Sequence, residues 1–324
     1  MKPWNHVIEK LGALMLAAVM ASPMAAWAQN YPERPIRIVA ATTPGSPADL
    51  LARLMAEAMA KVMNATFVVE NKPGADQVLG FEFVAKSAPA DGYTVLLAGI
   101  DGMALLPVTK KELRFNPLQD LTLVAGVGEV RYVLMGPASE PHRNFKELVD
   151  AINAAPGKYS YGASGPAVRI PAQLMMNRLG LDMQYVPYKG GAATAIDIAA
   201  GRIHWSVTSE STAHTVKERV RLYGITGTGR SAANPDVPTF TELGLPMIQG
   251  PVYGLAVRAG TPKEMADKLS AAAALALQST EIRSKAQAAL LELKYDNAEA
   301  TQRTLNDRWR GYQDAARSIG LQAE

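Results

Sequence analysis

The sequence predicts an α/β protein with parallel-rich sheets flanked by helices. Short apolar runs of strand length alternate with stretches of helix length over most of the chain, the rhythm of βαβ units. Small-residue loops stand where a strand hands over to a helix. The composition, 48% hydrophobic and 19% charged over 324 residues, leaves room for about two domains, each with its own core.

The first 28 residues read as an export signal. Lys2 and Lys10 supply positive charge, residues 11–20 form an apolar core, Pro23 breaks it, and Ala26-Trp27-Ala28 fits a small-x-small cleavage site. The mature protein then starts at Gln29 and is periplasmic. The apolar run is short and interrupted for an uncleaved anchor, and no later stretch approaches the ~18 consecutive apolar residues of a spanning helix. Absence of cysteine excludes a lipid-modified N-terminal Cys, a disulfide framework and Cys-type zinc sites. A net charge of +3 without a Lys/Arg cluster argues against nucleic acid as a partner.

Ile36-Arg37-Ile38-Val39-Ala40 reads as a buried strand, followed by the loop Thr42-Thr43-Pro44-Gly45-Ser46. The next helix places Leu51, Leu54, Met55, Ala58 and Val62 on one face. Ser46 caps it, Pro47 takes its first position and Asp49 completes a capping box, so Asp49 reads as a helix cap. Further strands are expected at 67–70, 93–98, 132–135, 159–161, 183–186, 205–208 and 222–225. Thr261-Pro262-Lys263-Glu264 reads as a second capping box. Beyond it, helical patterns through Leu277, over 282–293 and over about 297–319 predict a helical tail packed on earlier elements.

The chemistry concentrates at two strand–loop–helix junctions. The first, at Thr42 to Ser46, aims unpaired N–H groups and the positive end of a helix dipole at one point, a place to hold an anion. Gly162-Ala163-Ser164-Gly165-Pro166-Ala167 repeats the architecture in the other half of the chain. Facing each other, the two would grip one carboxylate from both sides, or one carboxylate each of a diacid. Arg169, in the first turn after the second loop, either forks a carboxylate or lies solvated on an exposed face. Arg131, at the start of a strand, has the same two readings. Asp101 follows a strand end, where open α/β sheets bind ligands, but an Asp-Gly pair also makes turns.

Enzyme signals are weak. Ser164 sits in a loop resembling a nucleophile elbow, but Pro166 occupies the last glycine position of G-x-S-x-G. His142, His204 and His214 have no metal-binding spacing, and no P-loop or dinucleotide fingerprint occurs, so no catalytic residue, metal or cofactor is expected. The alternatives are an exported α/β-hydrolase-like enzyme using Ser164 with His204 or His214, and a sensor that presents its ligand to a membrane kinase.

Motifs spread from about Tyr31 to Leu321 are similar to those of the substrate-binding proteins of tripartite tricarboxylate transporters, the Bug family. They include Tyr31-Pro32-Glu33-Arg34-Pro35-Ile36-Arg37, Val69-Glu70-Asn71-Lys72-Pro73-Gly74-Ala75, Asp91-Gly92-Tyr93-Thr94, Tyr161-Gly162-Ala163-Ser164-Gly165, Val186-Pro187-Tyr188-Lys189-Gly190 and Pro235-Asp236-Val237-Pro238-Thr239. The resemblance implies a two-domain Venus flytrap, like the type II periplasmic binding proteins, with two chain crossovers. Domain 1 would span 29–130 plus 251–324, and domain 2 would span 131–250. It implies a small carboxylate ligand, delivered by a monomeric receptor to one large and one small membrane subunit. The binding positions carried over are Thr42, Thr43, Gly45 and Ser46 in domain 1 and Ala163, Ser164 and Gly165 in domain 2, with Tyr188 nearby. Ala40-Ala41 and Ser46 depart from the family's usual first loop. Arg169, Thr208 and Asp101 depart from the family's pattern too, standing near a usual His or polar position, at a frequent Asp and at a usual small polar residue of the family.

Overall fold

A computed structural model describes residues 31–246 and 248–323. The expected export signal and its cleavage site lie outside the described residues. The chain starts in one lobe with β1 (Ile36–Ala40), α1 (Pro47–Met63), β2 (Phe67–Asn71), α2 (Val78–Glu82), β3 (Thr94–Gly99), α3 (Ile100–Thr109) and β4 (Leu121–Val130). It passes into a second lobe with β5 (Tyr132–Pro137), α4 (Phe145–Ala154), β6 (Tyr159–Ala163), α5 (Pro166–Leu179), β7 (Met183–Pro187), α6 (Gly191–Ala199), β8 (Trp205–Ser209), α7 (Glu210–His214) and β9 (Val220–Ile225). It returns through β10 (Val252–Arg258), α8 (Lys263–Ala276), α9 (Thr280–Ala288), β11 (Leu291–Asn297) and α10 (Ala298–Ser318).

The first sheet has the order β11-β4-β10-β3-β1-β2 and the second β7-β6-β8-β5-β9. β2, β1 and β3 run parallel, as do β7, β6 and β8, because βα units build each trio. β10, β11 and β5 pair antiparallel, so both sheets are mixed. β1 is fully sheathed. Ile36, Ile38, Val39 and Ala40 are buried while Arg37 points out to a salt bridge with Glu70 at 2.9 Å. The apolar face of α1, with Leu51, Met55 and Met59, covers this sheet beside Leu269 and Ala273 of α8.

The chain crosses between the sheets twice, once through Arg131 and once between β9 and β10. Arg131 fastens both crossings. Its Nε donates to Glu292 of β11 at 2.6 Å, and one of its terminal nitrogens donates to the carbonyl oxygens of Thr226 at 2.8 Å and Gly229 at 2.5 Å. Of the two readings of Arg131, the structure shows the structural one. Away from the crossings, Ile170 of α5 is buried against Leu105 of α3 and Ala315 of α10, so the lobes also meet through an apolar seam.

The tail departs from the expected all-helical pattern. Residues 282–293 do not form one helix. α9 ends at Ala288, Leu290 takes a positive φ of 56°, and the chain reverses into β11. The alternation of Leu291, Leu293 and Tyr295 is the strand signal there, and β4 supplies the partner. β4 and β10, absent from the expected strands, are central in the first sheet. Thr261 does not cap α8 either. Its hydroxyl donates to the Arg258 carbonyl at 2.7 Å, and the helix starts after Pro262 without a side-chain cap.

Candidate functional site

Between the lobes lies a cavity of about 180 Å³, smaller than the roughly 300–1,000 Å³ clefts of drug-sized ligands. Thr42, Ser46, Pro47 and Ala48 bring the start of α1 to it from the first lobe. Ser164 and Val168 bring the start of α5 from the second, so both small-residue junctions open on one space. Gly191 at the start of α6, and Thr208, Ser209 and Thr212 around the single-turn α7, close the second-lobe side. Val130, Tyr132 and Tyr253, all beside the crossings, form the back wall.

Every side chain in this lining is uncharged. What charges the space is the backbone. Helices α1, α5 and α6 and the turn α7 all present their N-terminal ends to it. Each end carries a partial positive charge and N–H groups without intrahelical acceptors. Such an arrangement can hold an anion by aligned dipoles and hydrogen bonds, with no cationic side chain needed.

The first loop is made rigid by Asp49, which is 2% exposed. Its carboxylate accepts from the Gly45 N–H at 2.8 Å, Arg53 Nε at 3.0 Å and Asn71 Nδ2 at 2.8 Å. Ser46 Oγ accepts from the Asp49 N–H at 3.2 Å, the cap expected from the sequence, and shares a 2.9 Å hydrogen bond with the Thr42 hydroxyl. Burial alone would push the Asp49 carboxyl up. The hydrogen bonds from Arg53, Gly45 and Asn71 outweigh it and hold the carboxyl below 3.8. A lowered folded-state value means that this stability is present above about pH 4 and is lost as pH falls through the folded value. The gap in melting temperature between the wild type and Asp49→Asn should therefore be open at pH 7 and close below pH 3.8.

In the second lobe, α5 begins at Gly165 with a φ of +91°, a conformation that favours glycine, and no side chain caps it. In its first turn Pro166 has no N–H, and the Val168 and Arg169 N–H groups donate to the Gly165 carbonyl at 3.2 and 3.0 Å. A Cβ at Gly191 would lie 2.6 Å from Thr208 Oγ1, so any larger residue would have to displace that hydroxyl.

Thr42, Ser46, Ser164 and Thr208, then, line one cavity; the other sequence-derived positions do not. Thr43 is exposed, and its carbonyl accepts from the Ser46 N–H. The Gly45 N–H is spent on Asp49. Ala163 is buried at the end of β6, where its carbonyl accepts from the Tyr188 N–H. The Tyr188 hydroxyl donates to Asp197 at 2.5 Å. Gly165 and Arg169 open on a neighbouring cavity of similar volume, with Lys110 and Asp76 opposite, and the Arg169 guanidinium stacks 4.8 Å over Tyr185.

Asp101 is 4% exposed and built into the fold. It accepts from the Val252 N–H at 3.0 Å and the Tyr312 hydroxyl at 2.7 Å, and Arg308 lies 3.4 Å away. The Ser-His pairing of the hydrolase alternative is not formed. His204 Nδ1 instead accepts from the Ser160 N–H at 3.0 Å, and Ser164 has no histidine partner among the described residues. Tyr132, Tyr253, Gly191 and Thr212 were missed as site residues. Gly190-Gly191 and Ser209-x-x-Thr212 repeat the strand–small residue–helix signal and could have been found. The tyrosines meet only through the crossings.

The model of the family described as tripartite tricarboxylate transporter family receptor matches residues 51–321. The chain belongs to that family. Among relatives of this receptor, a UPF0065 protein from the gbd 5′ region of Cupriavidus necator is 30% identical over 271 residues, 82% of each chain. Protein BugT of Bordetella pertussis is 29% identical over 267 residues, 79% of this chain and 80% of the relative. Among solved structures, an R. palustris protein with adipate superposes with a TM-score of 0.82 at 25% identity, covering 91% of this chain and all of that one. The periplasmic binding protein BugD gives 0.79 at 26% identity, covering 91% of this receptor and all of BugD. The receptor shares their two-sheet α/β fold and is a substrate-binding protein, not an enzyme. No helix among its described residues is long and apolar enough to cross a membrane.

Proposed function

We propose that this receptor is exported to the periplasm, where it captures a small carboxylate and delivers it to the large and small membrane subunits of a tripartite transporter. The observation that carries the reading is the convergence of helix N-termini from both lobes on one cavity lined only by uncharged side chains. The relatives support it, since one was solved with adipate and MatC from Rhodopseudomonas palustris with bound malate. Capture works by closure of 131–250 onto 29–130 with 251–324 about the two crossings. The carboxylate bonds to both lobes at once, so it stabilises the closed state over the open one.

The test is a thermal-shift screen of the purified protein with mono- and dicarboxylates. A true ligand at a hundred times its Kd stabilises by about 2.7 kcal/mol. A screen in which no acid raises the melting temperature defeats the reading. Arg169 lines the neighbouring cavity, so Arg169→Ala should leave the affinity of the best acid within about threefold. A charge-assisted contact would cost roughly tenfold or more. Titration calorimetry separates the two outcomes.

A further inference from the structure

Both crossings run past one cluster of charges. Glu129, near the end of β4, and Glu292 of β11 are direct cross-strand partners, and their carboxyl groups share a hydrogen bond. Two ionised carboxylates have no hydrogen to share, so this pair holds a proton. Burial and the Glu292 carboxylate push the Glu129 carboxyl above the ordinary glutamate value, and Arg131 and Lys294 offset this only in part.

Arg131, two residues beyond Glu129, completes the cluster. It grips Glu292 through Nε and a terminal nitrogen, while its other terminal nitrogen donates to the Thr226 and Gly229 carbonyls. The guanidinium lies so close over Gly227 that a Cβ there would collide with it, and its side chain is 11% exposed. Glu292 belongs to the first lobe and the two carbonyls to the chain leaving the second. One guanidinium therefore links the first lobe to both crossings.

The charge count decides when this link is tight. With the shared proton in place, one negative charge meets one guanidinium. Without it, two adjacent carboxylates face the same guanidinium and repel each other. Glu292, 38% exposed, is then the one able to swing into water. The surroundings do not compensate. Lys294 is paired with Asp296 at 3.2 Å. Arg308, which lines a cavity of about 240 Å³ with Glu129, is engaged with Asp101 and the Gly250 carbonyl. The second-lobe side of that cavity, with Thr226, Thr228 and Thr241, carries no charge.

Resting on capture by closure about the crossings, as read above, we propose that Glu129, Glu292 and Arg131 form a proton-dependent clasp on the hinge. With the proton bound, the clasp holds the lobes in the arrangement described here. Losing it releases the bridge from Arg131 to Glu292 and shifts the ligand-free receptor toward an open state. Acid capture is therefore tighter on the acidic side of this transition, where more of the receptor is in the binding-competent state.

Small-angle scattering of the ligand-free protein from pH 5 to pH 8 tests this. The wild-type radius of gyration should rise with pH. Glu129→Gln keeps a neutral donor to Glu292 and should stay compact throughout. Glu292→Gln removes the counter-charge of Arg131 and should be expanded throughout. Melting temperatures check folding and give a second readout. A carboxyl whose folded value is raised contributes stability that is lost as pH rises through that value, so the wild type should fall behind Glu129→Gln as pH climbs above 4.5. A wild-type radius indifferent to pH overturns the proposal, as does a Glu129→Gln variant that expands like the wild type or a Glu292→Gln variant that stays compact. Adipate and malate, added at pH 8 at concentrations that raise the melting temperature, separate the two readings. Compaction by either acid in a protein whose size ignores pH leaves capture by closure standing without the clasp. Binding without compaction removes the closure, and this proposal with it.

Discussion

Ser46→Asp should abolish acid binding while leaving the protein folded. Aspartate caps helices as well as serine does, so the start of α1 keeps an acceptor for the Asp49 N–H. The exchange places a negative charge in the wall of a cavity that has no cationic side chain. Two unit charges ~5 Å apart at an effective dielectric of ~20 repel by about 3 kcal/mol, roughly a hundredfold in affinity. Ser46→Asn is the control, since it retains the cap and adds no charge. Calorimetry should show Ser46→Asn within a few-fold of wild type and Ser46→Asp without measurable binding, with melting temperatures of all three close together. An aspartate variant that binds acids normally would show that the α1 terminus does not touch the guest. The pair thus tests the dipole-based anion site separately from the stability of the loop that builds it.

Asp101→Ala should produce a large loss of stability. The carboxylate is buried and joins three parts of the first lobe: its own helix α3, the N–H of Val252 at the second crossing, and Tyr312 with Arg308 on α10. Arg308 also donates to the Gly250 carbonyl at 3.0 Å, so one charged cluster holds the returning chain in place. Removing the carboxylate leaves a guanidinium, a hydroxyl and an N–H without their acceptor in a low-dielectric site. Breaking such a buried pair costs about 3–5 kcal/mol, a fall in melting temperature on the order of 10 °C. Tyr312→Phe removes one hydrogen bond and should cost only about 1 kcal/mol. A melting temperature for Asp101→Ala within ~2 °C of wild type would contradict this account. Asp101 therefore holds β10 in place, and with it the wall residue Tyr253.

Much of the fold is legible in local residue order. The strand at Ile36, the cap at Ser46, the amphipathic face of α1 and the alternation of strands and helices all rest on interactions within a few residues. The same holds for the two glycine-bearing junctions. Ser46 and Gly165 start helices because of their own chemistry and their neighbours', wherever those helices end up. The strands that escaped notice are those whose evidence is distant. β4 and β10 are buried on both faces and show no alternation. β11 pairs only with β4, so its short alternating run competed with the helical patterns around it.

The site divides along the same line. By itself the sequence determined that Thr42, Ser46 and Ser164 stand at helix starts suited to an anion, because capping is local. It could not say that Gly45's N–H is spent on Asp49, that Arg169 turns to Tyr185, or that Asp101 is sealed under α10. Only the tertiary structure decided which helix starts share a cavity and that Tyr132 and Tyr253 close it. Those outcomes depend on two crossings that bring residues 121 positions apart to one wall, and a contact of that separation leaves no trace in local pattern.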